Sequence, residues 1–227
     1  MQPFPLMLFA AGFGARMGAL TANKPKPLIE AAGKPLIDHA LAVADAAEIK
    51  KIVVNLHYLG DQIADHLKNR NILWSWEQGQ ILETGGGLKA ALPLLGDGPV
   101  LTLNTDAVWS GQNPLTQLLN AWDPAKMDAL LLLLPAEAAL GHSGKGDFQL
   151  DPHGRISRAN GVSAPIYLGA QILKTQGLSA ISEPVFSLNR LWDIAIGNGR
   201  AYGLIHHGGW CDVGRPEGIA LAESLHV

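Results

Sequence analysis

The first half of the chain alternates short apolar runs with stretches whose apolar residues recur at helical spacing, and this alternation restricts the fold more than any other feature. Residues 6–11, 52–56, 72–76 and 100–104 form the runs. Between them, Leu36, Ile37, Ala40, Leu41 and Ala44 share one face of a helix expected over 36–47, and Ile63 and Leu67 mark a shorter one over 61–67. Strands separated by crossover helices build a mostly parallel sheet covered on both faces, so the expected class is α/β. A further run, 129–135, holds five consecutive leucines before Pro135 and reads as an interior strand. A third crossover helix over 88–95 follows three glycines and contains Pro93, which predicts a short or distorted element. Beyond it, Gly141, Gly144, Gly146, Asp151, Pro152 and Gly154 predict turns and a hairpin. Strands over 166–173 and 201–205 and helices over 185–196 and 216–225 complete the expected order.

With 227 residues, 48% of them hydrophobic, the chain suffices for one substantial core, and a single domain over 1–227 is expected. Its 17 basic and 20 acidic side chains give a formal charge of −3, which argues against a nucleic-acid partner. The apolar run 5–11 is too short to span a bilayer and lacks a basic flank, so no membrane association is expected. The one cysteine, Cys211, permits no intrachain disulfide, and a cytoplasmic location is the default.

Strand 6–11 runs directly into glycines at 12, 14 and 18, with Arg16 among them. Glycine lets backbone N–H groups approach phosphate oxygens unobstructed. A dinucleotide fingerprint requires glycine or alanine where this chain has Met17, which leaves an NAD-dependent dehydrogenase as a weaker reading. Lys26 follows between Pro25 and Pro27, which fix the backbone, exclude helix on either side and pre-position its ammonium. Lys26 and the planar fork of Arg16 suit the charge that develops during phosphoryl displacement.

The combination Ala-Ala-Gly-x-Gly-x-Arg-Met, Leu-Thr and Pro-Lys-Pro-Leu resembles the nucleotidyltransferases that activate sugar 1-phosphates. The resemblance implies a Rossmann-like three-layer fold with a small sugar-binding lobe. It also implies a reaction between a nucleoside triphosphate and a sugar 1-phosphate that releases pyrophosphate. By the same resemblance, Ala11, Gly12, Gly14, Arg16 and Lys26 bind the nucleotide, with Arg16 and Lys26 catalytic.

Asn104 and Asp106 end a predicted strand, where open α/β sheets bind ligands, and Asp106 is a hard oxygen donor suited to Mg²⁺. Spacing alone cannot bring Asp212 beside it. The family's Asn-Gly-Asp-like and Trp-x-Asp-x-Gly-x-Pro segments imply that both aspartates hold the metal. Two departures stand out: Thr105 replaces a usual glycine, and Arg215 a common threonine. Thr105 also supports a rival reading as a non-catalytic nucleotide sensor, against which Lys26, Asp106 and Asp212 argue. Taken alone, each aspartate also suits a turn or cap.

The segment 82–89 is a second glycine-rich turn entering a helix, whose free N–H groups favour an anion or base edge. The resemblance assigns Glu83, Thr84 and Gly85 to the base and ribose, although Glu83 or Thr84 also suits a cap. It assigns Asn104, Asp147, Gly169 and Trp210 to the sugar, although Trp210 also suits a core and Asp147 a turn. His206 and His207 lack a partner set for zinc, and Cys211 reads as a small buried residue. Length and the Leu-Glu-Thr-Gly-Gly-Gly segment most resemble a uridylyltransferase branch taking N-acetylmuramate 1-phosphate. Guanylyltransferases of mannose or heptose 1-phosphate are the alternative. The absence of a repeat after 209–215 suggests a minimal catalytic unit.

Overall fold

The computed structural model describes residues 4–225. In chain order the elements begin with β1 (Leu6–Phe9), the short β2 (Glu30–Ala31) and β3 (Lys34–Pro35), α1 (Leu36–Ala46), β4 (Ile52–Leu56), α2 (Gly60–His66), β5 (Leu73–Trp76) and α3 (Glu83–Leu95). They continue with β6 (Pro99–Asn104), β7 (Ala107–Gly111), α4 (Pro114–Ala121), β8 (Ala129–Leu134), β9 (Phe148–Leu150) and β10 (Ile156–Arg158). The last are β11 (Ile166–Lys174), α5 (Asn189–Gly197), β12 (Ala201–Ile205), β13 (Gly208–Asp212) and α6 (Glu217–Glu223).

Seven strands form the main sheet in the order β12-β8-β11-β6-β1-β4-β5. Only β11 runs against its two neighbours; the pairings β1 with β4, β1 with β6, β4 with β5 and β8 with β12 are parallel. The mostly parallel α/β sheet is therefore the one expected from the alternation of runs and helices.

Successive strand residues point to opposite faces, so a strand covered on both faces must be apolar throughout. The leucine run shows this directly. Leu130, Leu132 and Leu134 pack in one core layer with Ile37, Leu41 and Leu115, whereas Leu131 and Leu133 pack in the other with Leu88, Leu191 and Trp192. In β1, Leu6 and Leu8 serve the first layer and Met7 the second. At about 1.5–3 kcal/mol per buried aliphatic side chain, this interior strand set is a large share of the folding drive. A smaller cluster, including Met17, Val108, Cys211 and Val213, packs around the antiparallel pair β7–β13.

Two expectations need correction. The helix expected to be short over 88–95 is α3, thirteen residues long, and it includes the three glycines in its first turns. Pro93 is tolerated near the C-terminal end, where the Gly96 N–H still reaches the Leu92 carbonyl at 2.9 Å. The helix expected over 185–196 begins only at Asn189, because residues 181–188 lie as a strap across the start of α3. The predicted hairpin is β9–β10.

Candidate active site

The C-terminal ends of β1, β4, β5 and β6 open into one cavity of about 450 Å³. Ala11, Gly12, Gly14, Arg16, Lys26, Glu83, Thr84, Asn104 and Asp106 all line it, so most of the candidates proposed from separate motifs converge. The glycine loop leaves β1 and closes into a 3-10 helix over Ala15–Thr21. Gly14 takes φ +64°, and a Cβ there would meet the Lys26 Cβ at 2.8 Å. Glycine is thus required both for backbone conformation and for the close approach of the lysine segment. A Cβ on Gly12 would meet nothing within 4 Å, so that glycine faces open space.

Lys26 begins a single 3-10 turn, Lys26–Leu28, which corrects the expectation that its flanking prolines keep helix away on either side. Pro27 occupies its first turn, where a missing N–H costs nothing. The turn aims the Lys26 Nζ at Asp106 Oδ2, 2.7 Å away. On the other flank, the Val213 N–H donates to the Asp106 carbonyl at 2.8 Å, and β7–β13 pairing holds Asp212 opposite Ala107. A Cβ on Gly214 would lie 2.8 Å from Asp212 Oδ2 and 3.1 Å from Arg16 Nη2, so both side chains flank that glycine, which lines the cavity although Asp212 itself does not.

Burial raises the Asp212 carboxyl above its ordinary range, and the negative field of Asp106 raises it further. Lys26 and Arg16 oppose that shift. Two hard carboxylates gathered under two cations can hold a magnesium ion that takes its remaining ligands from phosphates and water. Among the described residues no group of three or more His, Cys, Asp or Glu is placed to hold a metal. Cys211, next to Asp212, is pushed up to about 11 by burial and then by that carboxylate, which leaves an inert thiol.

Thr105 explains itself locally. Its hydroxyl donates to the Phe9 carbonyl at 2.7 Å and clips the turn after β6 to the end of β1. It is absent from the described non-glycine residues with positive φ, so the turn does not require glycine.

The α3 glycines correct a sequence expectation. Their N–H groups are not free for a ligand: those of Gly85 and Gly86 donate to the Phe186 carbonyl at 2.9 and 3.0 Å. A Cβ on Gly85 would collide with the Phe186 ring, and one on Gly86 with the Pro184 carbonyl. Gly85 is buried beneath the strap, and Thr84 Oγ1 accepts from the Leu188 N–H at 3.1 Å. Glu83 differs: it is exposed to the cavity and held at φ +59°, a strained conformation for a residue with a side chain.

Of the sugar-side candidates, only Asn104 lines the cavity. Gly169 sits at a bulge of β11 with φ +81°, where a Cβ would meet Asn104 Nδ2 at 2.7 Å. Asp147 is exposed and one of its carboxylate oxygens accepts from the Tyr167 N–H at 2.8 Å. Trp210 is a core residue rather than a pocket wall: it is buried, and its indole N–H donates to the Leu168 carbonyl at 3.1 Å. Sequence reasoning missed Asn55 and Glu77, which are buried yet line the cavity. A polar residue inside an apolar strand and a carboxylate just past a strand end were the available signals.

A family model described as a MobA-like NTP transferase domain matches residues 6–143. The chain is 39% identical to N-acetylmuramate alpha-1-phosphate uridylyltransferase of Caulobacter vibrioides, with 96% of this chain and 95% of that protein covered. The protein of the same name from Neisseria meningitidis is 35% identical, with 96% of each covered. Among solved structures, HddC from Yersinia pseudotuberculosis complexed with GMP-PN superposes with a TM-score of 0.77 at 19% identity, over 99% of this chain and all of that one, which shows a shared fold.

Proposed function

The chain belongs to the family of MobA-like NTP transferase domains, and from that premise we propose that it transfers UMP from UTP to N-acetylmuramate α-1-phosphate, forming the UDP-sugar and pyrophosphate. The substrate pair rests on the names of the two relatives that align along nearly their whole length. The observation that carries the chemistry is the convergence of Lys26, Arg16 and Asp106 on the cavity at the glycine loop, with Asp212 beside the lining residue Gly214.

In this reading a phosphate oxygen of the sugar 1-phosphate attacks the α-phosphorus, and the bond to the oxygen bridging the α- and β-phosphates breaks in line. The glycine loop orients the triphosphate through backbone N–H groups. Arg16 and Lys26 stabilise the negative charge that grows on the equatorial oxygens and on the departing pyrophosphate. Asp106 and Asp212 would hold Mg²⁺, which supplies charge neutralisation and a template for phosphate oxygens when bound. The Lys26 ammonium also pairs with Asp106, which ties it to the metal-binding carboxylate of this reading. Positioning and electrostatics account for the rate; no covalent intermediate is required.

The test is incubation with UTP, Mg²⁺ and N-acetylmuramate α-1-phosphate, with products identified by mass. A UDP-sugar and equimolar pyrophosphate are expected. UTP hydrolysis without sugar transfer, or no reaction, would contradict the proposal.

A further inference from the structure

Beneath the nucleotide cavity lies a buried polar chain that none of the motifs announces. Glu77 is 4% exposed and Asn55 3%. The Ala10 N–H donates to Asn55 Oδ1 at 2.8 Å, Asn55 Nδ2 donates to Glu77 Oε1 at 2.6 Å, and the Leu82 N–H donates to Glu77 Oε2 at 2.8 Å. The chain thus runs from the first residue past β1, through β4, to the residue that opens α3. No salt bridge among the described residues involves Glu77. A buried carboxylate without a cationic partner is costly, and an apolar pair would fill the same space at lower cost.

We propose that Asn55 and Glu77 form a positioning relay that locks the glycine loop to the entrance of α3, so that the two walls of the nucleotide cavity hold one spacing. The proposal rests on the nucleotidyltransferase reading. Three observations support it. Both ends of the relay are backbone N–H groups of wall segments, so movement of one wall breaks a hydrogen bond to the other. Gly87 leaves the space: a Cβ there would lie 2.6 Å from Glu77 Oε1 and 3.0 Å from Asn55 Nδ2. The backbone of Glu77 is itself fixed, its N–H donating to the Leu56 carbonyl at 2.9 Å and its carbonyl lying 2.9 Å from His57 Nδ1.

Neither residue is a catalytic residue, because both act through the backbone they hold. Glu77→Gln tests this with little change of volume: the amide keeps an oxygen for Asn55 and turns an NH₂ group towards the Leu82 N–H. We expect UTP affinity, measured by calorimetry in Mg²⁺, to fall about tenfold or more. KM for UTP should rise in step, while kcat and KM for the sugar phosphate stay within about twofold. Amide exchange should accelerate at Leu82 and also at Ala10, which is reached only through Asn55. Gly87→Ala, which crowds the relay from α3 without altering its polarity, should shift UTP affinity in the same direction. If another triphosphate proves to be the substrate, the same loss should appear for it, so the relay stands or falls separately from the base assignment. Unchanged nucleotide affinity in a folded Glu77→Gln protein, or faster exchange at Leu82 alone, would overturn the relay.

Discussion

At the level of single residues, the proposed chemistry depends on where individual charges sit. Replacing Lys26 with alanine removes the ammonium aimed at Asp106 Oδ2, and we predict a fall in kcat of about 10²–10³-fold in steady-state assays. A wild-type kcat in that variant would remove Lys26 from the mechanism. Asp212→Asn should separate stability from activity. Burial and Asp106 both disfavour the ionised Asp212 carboxylate, so the neutral amide should melt at or above the wild-type temperature while turnover falls by about a hundredfold or more. Much of this cavity was legible because residues at special backbone announce themselves in sequence, as Gly14 and the proline-flanked Lys26 do. Asn55 and Glu77 do not, since a buried polar residue is recognisable only once its partners are known. Trp210 was ambiguous for the opposite reason, because an aromatic side chain suits a core and a sugar pocket equally well, and only the Leu168 contact assigns it to the core.

At the element scale, the start of α3 shows why three consecutive glycines mislead in sequence. A glycine run before a helical pattern signals a turn with open N–H groups, yet here each glycine makes room for a different neighbour: Phe186, Pro184 and the Glu77–Asn55 pair. Phe186, Pro184 and Asn55 lie far from these glycines in sequence and Glu77 precedes the helix, so local pattern could not supply them. Gly86→Ala, although it adds helix propensity, should therefore destabilise the protein by about 1–3 kcal/mol in denaturant titration, because the Pro184 carbonyl must move. A stabilised Gly86→Ala would contradict the strap's packing.

The connection from β12 to β13 carries a pH-sensitive element. Burial, the largest cause, pushes His206 down to about 4, with a smaller contribution from neighbouring His207, while a hydrogen bond with the Gly209 backbone opposes the shift. The folded value lies below the unfolded one, so the folded state binds fewer protons between them. The stabilisation is therefore complete above about 6.5 and is lost as pH falls towards about 4. On the order of 3 kcal/mol should disappear across that window. His206→Leu should flatten that part of the stability profile in urea titrations, and an unaltered slope would show that other groups govern it.

At the scale of the whole molecule, the class of sheet was legible from alternation alone, because strands buried on both faces must be apolar throughout and the helices between them carry one apolar stripe. The reversal of β11 within that sheet and the pairing of β7 with β13 were not, since strand direction and neighbours depend on connections across the molecule. It is that second pairing which brings Asp212, more than a hundred residues along the chain, to the end of the site that holds Asp106. The cavity so assembled is lined by Arg16, Lys26 and Asp106 together with the buried Asn55 and Glu77. Among the described residues no helix is long and apolar enough to cross a membrane.

The most direct measurement of the central claim is kcat/KM, read from pyrophosphate release in Mg²⁺, for UTP, GTP, CTP and dTTP against N-acetylmuramate, glucosamine, glucose and mannose 1-phosphates. A single dominant pair is expected, UTP with N-acetylmuramate α-1-phosphate. Dominance of GTP with mannose 1-phosphate would overturn the substrate assignment, and nucleotide binding without pyrophosphate release from any pair would contradict the reading as a transferase.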